Sequence, residues 1–435
     1  MFNVNMKNNM NFNPEKNYIN KLLSKGEFGL EMESLRINSD GTLAQSSHPF
    51  EGIKNITRDF CENQTEIITD VFDNISDMLI QLSDLQKYIC DTLNKNNELL
   101  WHFSNPPIFS STDEIPIADF KGSVYRDYLA KKYGKAKMLL SGIHLNFSLP
   151  SNVISEFAKE KGQKIQDYQN NLYLDLSSKL VSYSWLLVYL TAASPVIDKS
   201  FAELIGISND HLEKYASVRC SDVGYWNFFD ATFDFSSIEA YTNSIEKYID
   251  NGDIISCSEL YYPIRVKPRG KYDIDLLREN GINHIELRMI DLNPLSPLGV
   301  FEKDLEFIHL LIIYLLCINK PLPNKNQQIT AVNNMKSAAL YDDNSIITLS
   351  VGNLPLKYAA ILELKKLSDF AKHYYPEYLD SVNYQLAKTK NGTYSQIIRK
   401  LYSNDYINMG MTISEKYQRS GQNVYAFCGK LKRQL

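Results

Sequence analysis

Cysteine is sparse: six residues in a chain of 435, with no CxxC pair among them. Cys61, Cys90, Cys220, Cys257, Cys317 and Cys428 stand far apart. That spacing argues against a zinc site or a disulfide framework and points to a reducing cytoplasm. A strong charge of one sign is also missing. The formal net charge is −5, which provides no basic footprint for nucleic acid. Long hydrophobic runs are absent too. Leu180–Ala193 is broken by Ser182, Tyr183 and Ser184, and Phe307–Ile318 is shorter still. A membrane-spanning helix needs about 20 apolar residues, so both stretches read as buried core helices, and no membrane partner is expected. The first residues are rich in Asn and Lys and contain no apolar core of a secretion signal. There is no Walker A pattern, no GxGxxG, no nucleophile elbow, no internal repeat and no low-complexity linker. Those gaps exclude a P-loop, a dinucleotide-binding turn and the usual serine or cysteine nucleophile signatures.

What is present is an ordinary globular composition, 44% apolar and 22% charged, around one unusual stretch. Gly29-Leu30-Glu31-Met32-Glu33-Ser34-Leu35-Arg36-Ile37 reads as a β-strand that opens after Gly26 and closes at the turn signal Asn38-Ser39-Asp40-Gly41. Side chains at i and i+2 share a strand face, so Glu31 and Glu33 point the same way. Two adjacent carboxylates resist joint ionisation unless a cation sits between them, and such oxygen-rich sites suit Mg²⁺ or Mn²⁺. The alternative is a solvated edge carrying two unrelated acids.

Further segments bear on that choice. Thr57–Thr69 contains Asp59, Glu62, Gln64 and Glu66. As a strand it would put Glu62, Gln64 and Glu66 on one face; as a helix it would align Asp59, Glu62 and Glu66. Its β-branched end favours the strand. Ser141–Pro150 alternates Ile143, Leu145, Phe147 and Leu149 with His144, Asn146 and Ser148, a half-buried strand whose polar face lines a pocket. His284–Ile290 alternates likewise and places His284, Glu286 and Arg288 on one face. Loops around Arg219–Tyr225 and Glu259–Arg265 bring cations, anions and tyrosines. Asn74 caps a helix to about residue 97; a basic helix is expected over about 125–137, and core helices over about 165–193, 200–216 and 301–318.

Several strands that each carry an acid, His or Arg on one face make a sheet whose charges need neutralising. Carboxylates with an imidazole suit divalent ions, and an Arg beside them suits a phosphoryl group in transfer. The combination implies ATP-dependent phosphoryl transfer on a sheet platform.

The motifs GLEMESLRINSDGTLA followed by HP, DFCENQTEIIT, SGIHLNFSLP, SDVGY, ELYYPIR and IELRMIDLNPLSPLGV occur in this order over about residues 26–301. In them the chain resembles the bacterial glutamate–cysteine ligases. The resemblance implies an α+β, glutamine-synthetase-like fold: a curved, largely antiparallel sheet with helices outside. It implies a single catalytic unit over residues 1–435, with the site motifs within about 26–301 and a mostly helical part from about 302. It also implies γ-phosphorylation of glutamate by ATP, then displacement of phosphate by the amine of cysteine. The implied metal ligands are Glu31, Glu33, Asp59, Glu66, His144 and Glu286, with Mg²⁺ or Mn²⁺ as cofactor and ATP as co-substrate. Glu31 and Arg288 would be catalytic, Arg288 meeting the transferred phosphoryl group. Phe60, Tyr125, Arg219, Tyr225 and Tyr261 would form the acceptor pocket. A cytoplasmic monomer is expected, making γ-glutamylcysteine but not glutathione. Cys61 and Asn63 stand where the family often has small or apolar residues. The rival readings are a ligase for a different amine and a catalytically silent ligand-binding homologue.

Overall fold

Period-two alternation makes the opening stretch a strand, and in the computed structural model, which describes residues 12–108, 111–116 and 123–420, it runs as β1 from Glu27 to Asn38. The other strands of its sheet are β2 (Ile56–Arg58), β3 (Gln64–Ile68), β4 (Glu98–Leu100), β5 (Gly142–Ser148), β6 (Ile264–Lys267) and β7 (His284–Asp291). They form a 7-stranded sheet in the order β2–β3–β1–β5–β7–β6, with β4 paired to the far end of β1. Each of these ladders is antiparallel. A separate hairpin joins β8 (Ile346–Leu349) to β9 (Gly352–Pro355). The class is α+β, as expected.

The two faces of β1 serve two cores. Phe28, Leu30 and Met32 join Ile67, Ile143, Leu145, Phe147, Ile285 and Leu287 in the larger apolar cluster. The helices Ile75–Lys95, Ile165–Thr191 and Glu302–Cys317 contribute to the same cluster. Asn74 caps the first of them by accepting from Asp77 N–H, as its position predicts. The other two are buried on nearly every side, the expected fate of a helix apolar all round. No helix among the described residues is long and apolar enough to cross a membrane. On the opposite face of β1, Glu31 and Glu33 give way to Leu35 and Ile37, which enter a second cluster with Phe60, Trp101, Phe103 and Tyr261. The carboxylates therefore sit at the rim of an apolar region rather than on a solvated edge.

Some expectations need correction. Thr57–Thr69 is neither one strand nor a helix. It is the β2–β3 hairpin, antiparallel from Ile56↔Ile67 to Arg58↔Thr65, and Asp59, Phe60, Cys61 and Glu62 form its turn. Glu62 thus leaves the Glu66 face and pairs with Arg58 at 2.8 Å. Residues 200–216 are not one helix: Lys199–Leu204 is helical, followed only by a 3-10 turn at Asn209–His211, because Gly206, at φ +80°, ends the helix. The basic helix stops at Tyr133, before Gly134 at φ +90°. Helices fill most of the chain from Leu356 to Ser420, as expected; Cys428 lies outside the described residues.

One buried ion pair ties the sheet's branch. Arg36 and Glu98, both nearly inaccessible, meet at 2.7 Å across β1 and β4. Arg36 also donates to Ser46 Oγ, Ser46 O and Glu62 O. Removing one partner of such a pair leaves an uncompensated charge in the interior. Glu98→Ala is expected to lower unfolding free energy by about 3–5 kcal/mol in urea titration of the whole chain. An unchanged midpoint would show that Arg36 reaches water.

Candidate active site

Strand register assembles the site. β1 pairs with β3 so that Glu33 lies opposite Glu66, and with β5 so that Glu31 lies opposite His144. β5 pairs with β7 so that Asn146 lies opposite Glu286, and β6 adds Arg265 on the other side of Glu286. Between the pairs Ile143↔Ile290 and Leu145↔Leu287 the register shifts, which leaves an extra residue in β7 across from His144. Bulges of this kind re-aim side chains beside functional sites; Arg288 lies in the shifted stretch.

The geometry is specific. His144 Nδ1 stands 3.1 Å from Glu31 Oε2, and Asn146 donates to Glu31 Oε1 at 3.0 Å. Glu33 Oε2 accepts from Gly142 N–H at 3.1 Å. Arg288 Nη1 donates to Glu286 Oε2 at 2.9 Å, and Lys267 Nζ to Glu286 Oε1 at 3.2 Å. Donor atoms of Glu31, His144 and Glu286 all lie within 4.8 Å of one another. Asp59 enters from the β2–β3 turn, where Arg126 donates to its backbone carbonyl at 2.7 Å.

These acids do not ionise alike. Burial, reinforced by Asp59, pushes Glu33 up to about 8. Burial, with Asp59, Glu31 and Glu33 nearby, holds Glu66 well above its ordinary range, and burial raises Asp59 as well. Burial also opposes ionisation of Glu286, yet Arg288 and Lys267 hold it well below that range. Glu31 is likewise held low against its burial, chiefly by the His144 hydrogen bond. Burial keeps His144 neutral, its pKa lowered to about 4. Burial thus shifts Glu33, Asp59 and Glu66 toward their neutral forms, while Glu31 and Glu286 are held low by their partners. Hard oxygen donors with one neutral imidazole fit Mg²⁺ or Mn²⁺. Glu31, His144 and Glu286 would hold one ion; among the described residues Glu33, Asp59 and Glu66 do not bring their donor atoms into a comparable group.

The sequence-predicted residues divide into two groups here. Arg219, Tyr225, Tyr261 and Arg288 line one cavity of about 40 Å³ together with Cys220, Trp226 and Met289. Tyr225 and Tyr261 meet edge to face, with ring centroids 4.8 Å apart. Phe60 and Tyr125 do not line that cavity. Phe60 is buried in the second apolar cluster with Tyr261, and Tyr125 packs against it. Arg265, left out of the sequence assignment, donates to Leu260 O and Ser258 O and stands 3.9 Å from Glu286, a neighbour pairing. Asp222 pairs at the surface with Lys214. Sequence reasoning missed Lys267 and Arg126. Lys267 shares the i, i+2 face of Arg265 on β6, a signal the sequence does carry; nothing in the local pattern marks Arg126.

Comparison with known proteins follows the same lines. The family profile described as glutamate–cysteine ligase matches residues 13–256 and 251–338. The chain is 40% identical over 384 residues to the glutathione biosynthesis bifunctional protein of Listeria monocytogenes, covering 82% of this chain and 49% of that protein. It is 34% identical over 426 residues to the Clostridium perfringens protein of that description, covering 92% and 55%. The chain thus spans about half the length of the curated relatives it matches. Among solved structures, the glutamate–cysteine ligase of Francisella tularensis in complex with AMP matches with a TM-score of 0.82 at 26% identity, over 94% of this chain and 92% of that one. The bifunctional glutathione synthetase of Pasteurella multocida matches with a TM-score of 0.81 at 25% identity, over 93% and 54%.

Glu33 gives a pH signature. Its folded pKa lies above its unfolded one, so the neutral form is favoured in the fold. Its stabilising contribution is present below about pH 4.5 and is lost as pH rises through about 8. In EDTA, the melting temperature of the wild-type chain is expected to fall relative to that of Glu33→Gln across this window, and added Mg²⁺ should close the gap. Parallel profiles for the two proteins would refute the protonated state.

Proposed function

The chain belongs to the glutamate–cysteine ligase family, and from that premise we propose that it joins the γ-carboxylate of L-glutamate to the amine of L-cysteine. ATP is consumed, and γ-glutamylcysteine, ADP and phosphate form, as in the first step of glutathione biosynthesis. The observation that carries this reading is the Glu31–His144–Glu286 donor triad, on the same sheet face as Arg288 and beside the cavity lined by Arg219, Tyr225 and Tyr261.

The chemistry follows from charge. A γ-carboxylate oxygen attacks the terminal phosphorus of ATP, ADP leaves, and an acyl phosphate results. The acceptor nitrogen then attacks the acyl carbon, phosphate departs, and the nitrogen gives up a proton. A divalent ion, when bound, supplies Lewis-acid neutralisation of the phosphate oxygens. Arg288 is held charged by Glu286, so its guanidinium is preorganised for charge that develops on the phosphoryl group. Tyr225 and Tyr261 enclose a small thiol side chain, and Arg219 offers a fork for an α-carboxylate. Phe60 and Tyr125 belong to the apolar cluster that also holds Tyr261, a position from which they would support the acceptor pocket without lining it. The same reading has the sheet curve in the glutamine-synthetase manner and residues 1–435 act as one catalytic unit, a cytoplasmic monomer. The AMP-bound Francisella relative supports an adenine-nucleotide substrate.

Two measurements test it. Incubating the chain with ATP, Mg²⁺, glutamate and a panel of amines, then identifying products by mass, is expected to give a γ-glutamyl product first with cysteine. 2-Aminobutyrate should be accepted less well by a modest factor, since exchanging a thiol for a methyl is worth only about 1–3 kcal/mol in such a pocket. A product with a non-amino-acid amine alone would redirect the substrate assignment, and no ADP with any amine would leave a silent ligand-binding protein. Separately, Arg288→Lys should lower kcat by an order of magnitude or more with little change in the KM for ATP, because lysine cannot make the bidentate fork. A rise in KM with kcat intact would restrict Arg288 to ground-state nucleotide binding.

A further inference from the structure

Arg219 touches both halves of the site, and its contacts there conflict. It lines the cavity with Tyr225 and Tyr261, yet its Nη2 lies 3.1 Å from His144 Nε2. A guanidinium has donors only, so Nε2 must be the acceptor. The single proton of the neutral ring therefore sits on Nδ1, where it is donated to Glu31 Oε2 at 3.1 Å. This tautomer is incompatible with metal ligation while Arg219 stays in place. Ligation through Nε2 takes the lone pair that Arg219 uses. Ligation through Nδ1 moves the proton to Nε2, where it points at the Arg219 donor. In either case the Arg219–His144 hydrogen bond is lost.

We infer that divalent-ion ligation by His144 releases Arg219 to receive the carboxylate of the acceptor, so that the ion and the acceptor amino acid bind with positive cooperativity. The inference rests on the ligase reading above. Besides His144, the guanidinium is attracted by Tyr225, Cys220, Glu33 and Asp291, but its other hydrogen bonds are few. Its Nη1 donates to Ile290 O at 3.3 Å, and its buried Nε has no partner. The guanidinium lies across Gly142, where a Cβ would stand 2.3 Å from Arg219 Cζ; only glycine lets it reach His144. A released fork facing an aromatic cavity matches a carboxylate bidentately. Linkage makes the effect reciprocal: whatever factor the ion adds to acceptor affinity, the acceptor adds to ion affinity.

The test uses the whole chain without ATP or glutamate, so that no turnover occurs. L-2-Aminobutyrate is titrated calorimetrically into EDTA-treated and Mn²⁺-loaded protein, and Mn²⁺ is titrated by its electron paramagnetic resonance with and without L-2-aminobutyrate. Both affinities should rise by the same factor, within about 5–150-fold. His144→Leu removes the acceptor of the Arg219 bond, so its metal-free affinity for L-2-aminobutyrate should reach that of the Mn²⁺-loaded wild type. Gly142→Ala, which pushes the guanidinium off His144, should do the same and serves if the leucine variant does not fold. Independent binding of ion and amine would overturn the inference and leave the ligase reading intact. Coupling that persists unchanged in both variants would also overturn it, because the route would not run through Arg219. No amine binding in either metal state, with no γ-glutamyl product, would overturn the ligase reading and the inference together.

Discussion

Like charges brought together on one sheet face repel more strongly as water is removed, and this repulsion governs the architecture around β1. Glu33 stands directly opposite Glu66, and Glu31 and Glu286 share the face one strand away on either side of β5. Such an arrangement destabilises a sheet unless each carboxylate finds a proton, a cation or a donor. Each remedy is present. Glu286 has Arg288 and Lys267, Glu31 has His144 and Asn146, and burial shifts Glu33 and Glu66 toward their neutral forms. Each carboxylate on the face thus has its own means of lowering the repulsion.

The rest of the fold makes that face possible. The larger apolar cluster behind the sheet supplies the burial that holds β1, β5 and β7 in register. The second cluster, which begins where Glu33 gives way to Leu35, closes the same face against water. Exclusion of water raises the pKa of Glu33 and strengthens the Arg288–Glu286 pair together, since both follow from a lower local dielectric. Arg36, bound to Glu98 on the opposite side of β1, fixes the strand where its inner face changes from polar to apolar.

The placement of the proposed site residues depends on backbone irregularities as much as on regular strands. The register shift in β7 carries Arg288, the β2–β3 turn carries Asp59, and Gly142 yields the space taken by the Arg219 guanidinium. A perfectly regular sheet of the same residues would offer the carboxylates but would not bring Arg219 against His144.

The sequence by itself determined what period two encodes. The bounds of β1 at Gly26 and Asn38, the same-face pairs Glu31–Glu33 and Glu286–Arg288, the apolar backing of His144 and the buried character of the helices at 165–191 and 302–317 were all legible, because alternation and apolar runs are local properties. The ordered motifs also pointed to the family. Only the tertiary structure decided which strands lie side by side, and hence that Glu33 faces Glu66 while Glu31 faces His144; cross-strand register depends on contacts between residues far apart in the chain. It also decided that Asp59 sits in a turn rather than on a strand face, that Arg126 and Lys267 reach the acids, and that Arg219 rests on an imidazole. Those are facts of packing and burial, which a local pattern does not contain.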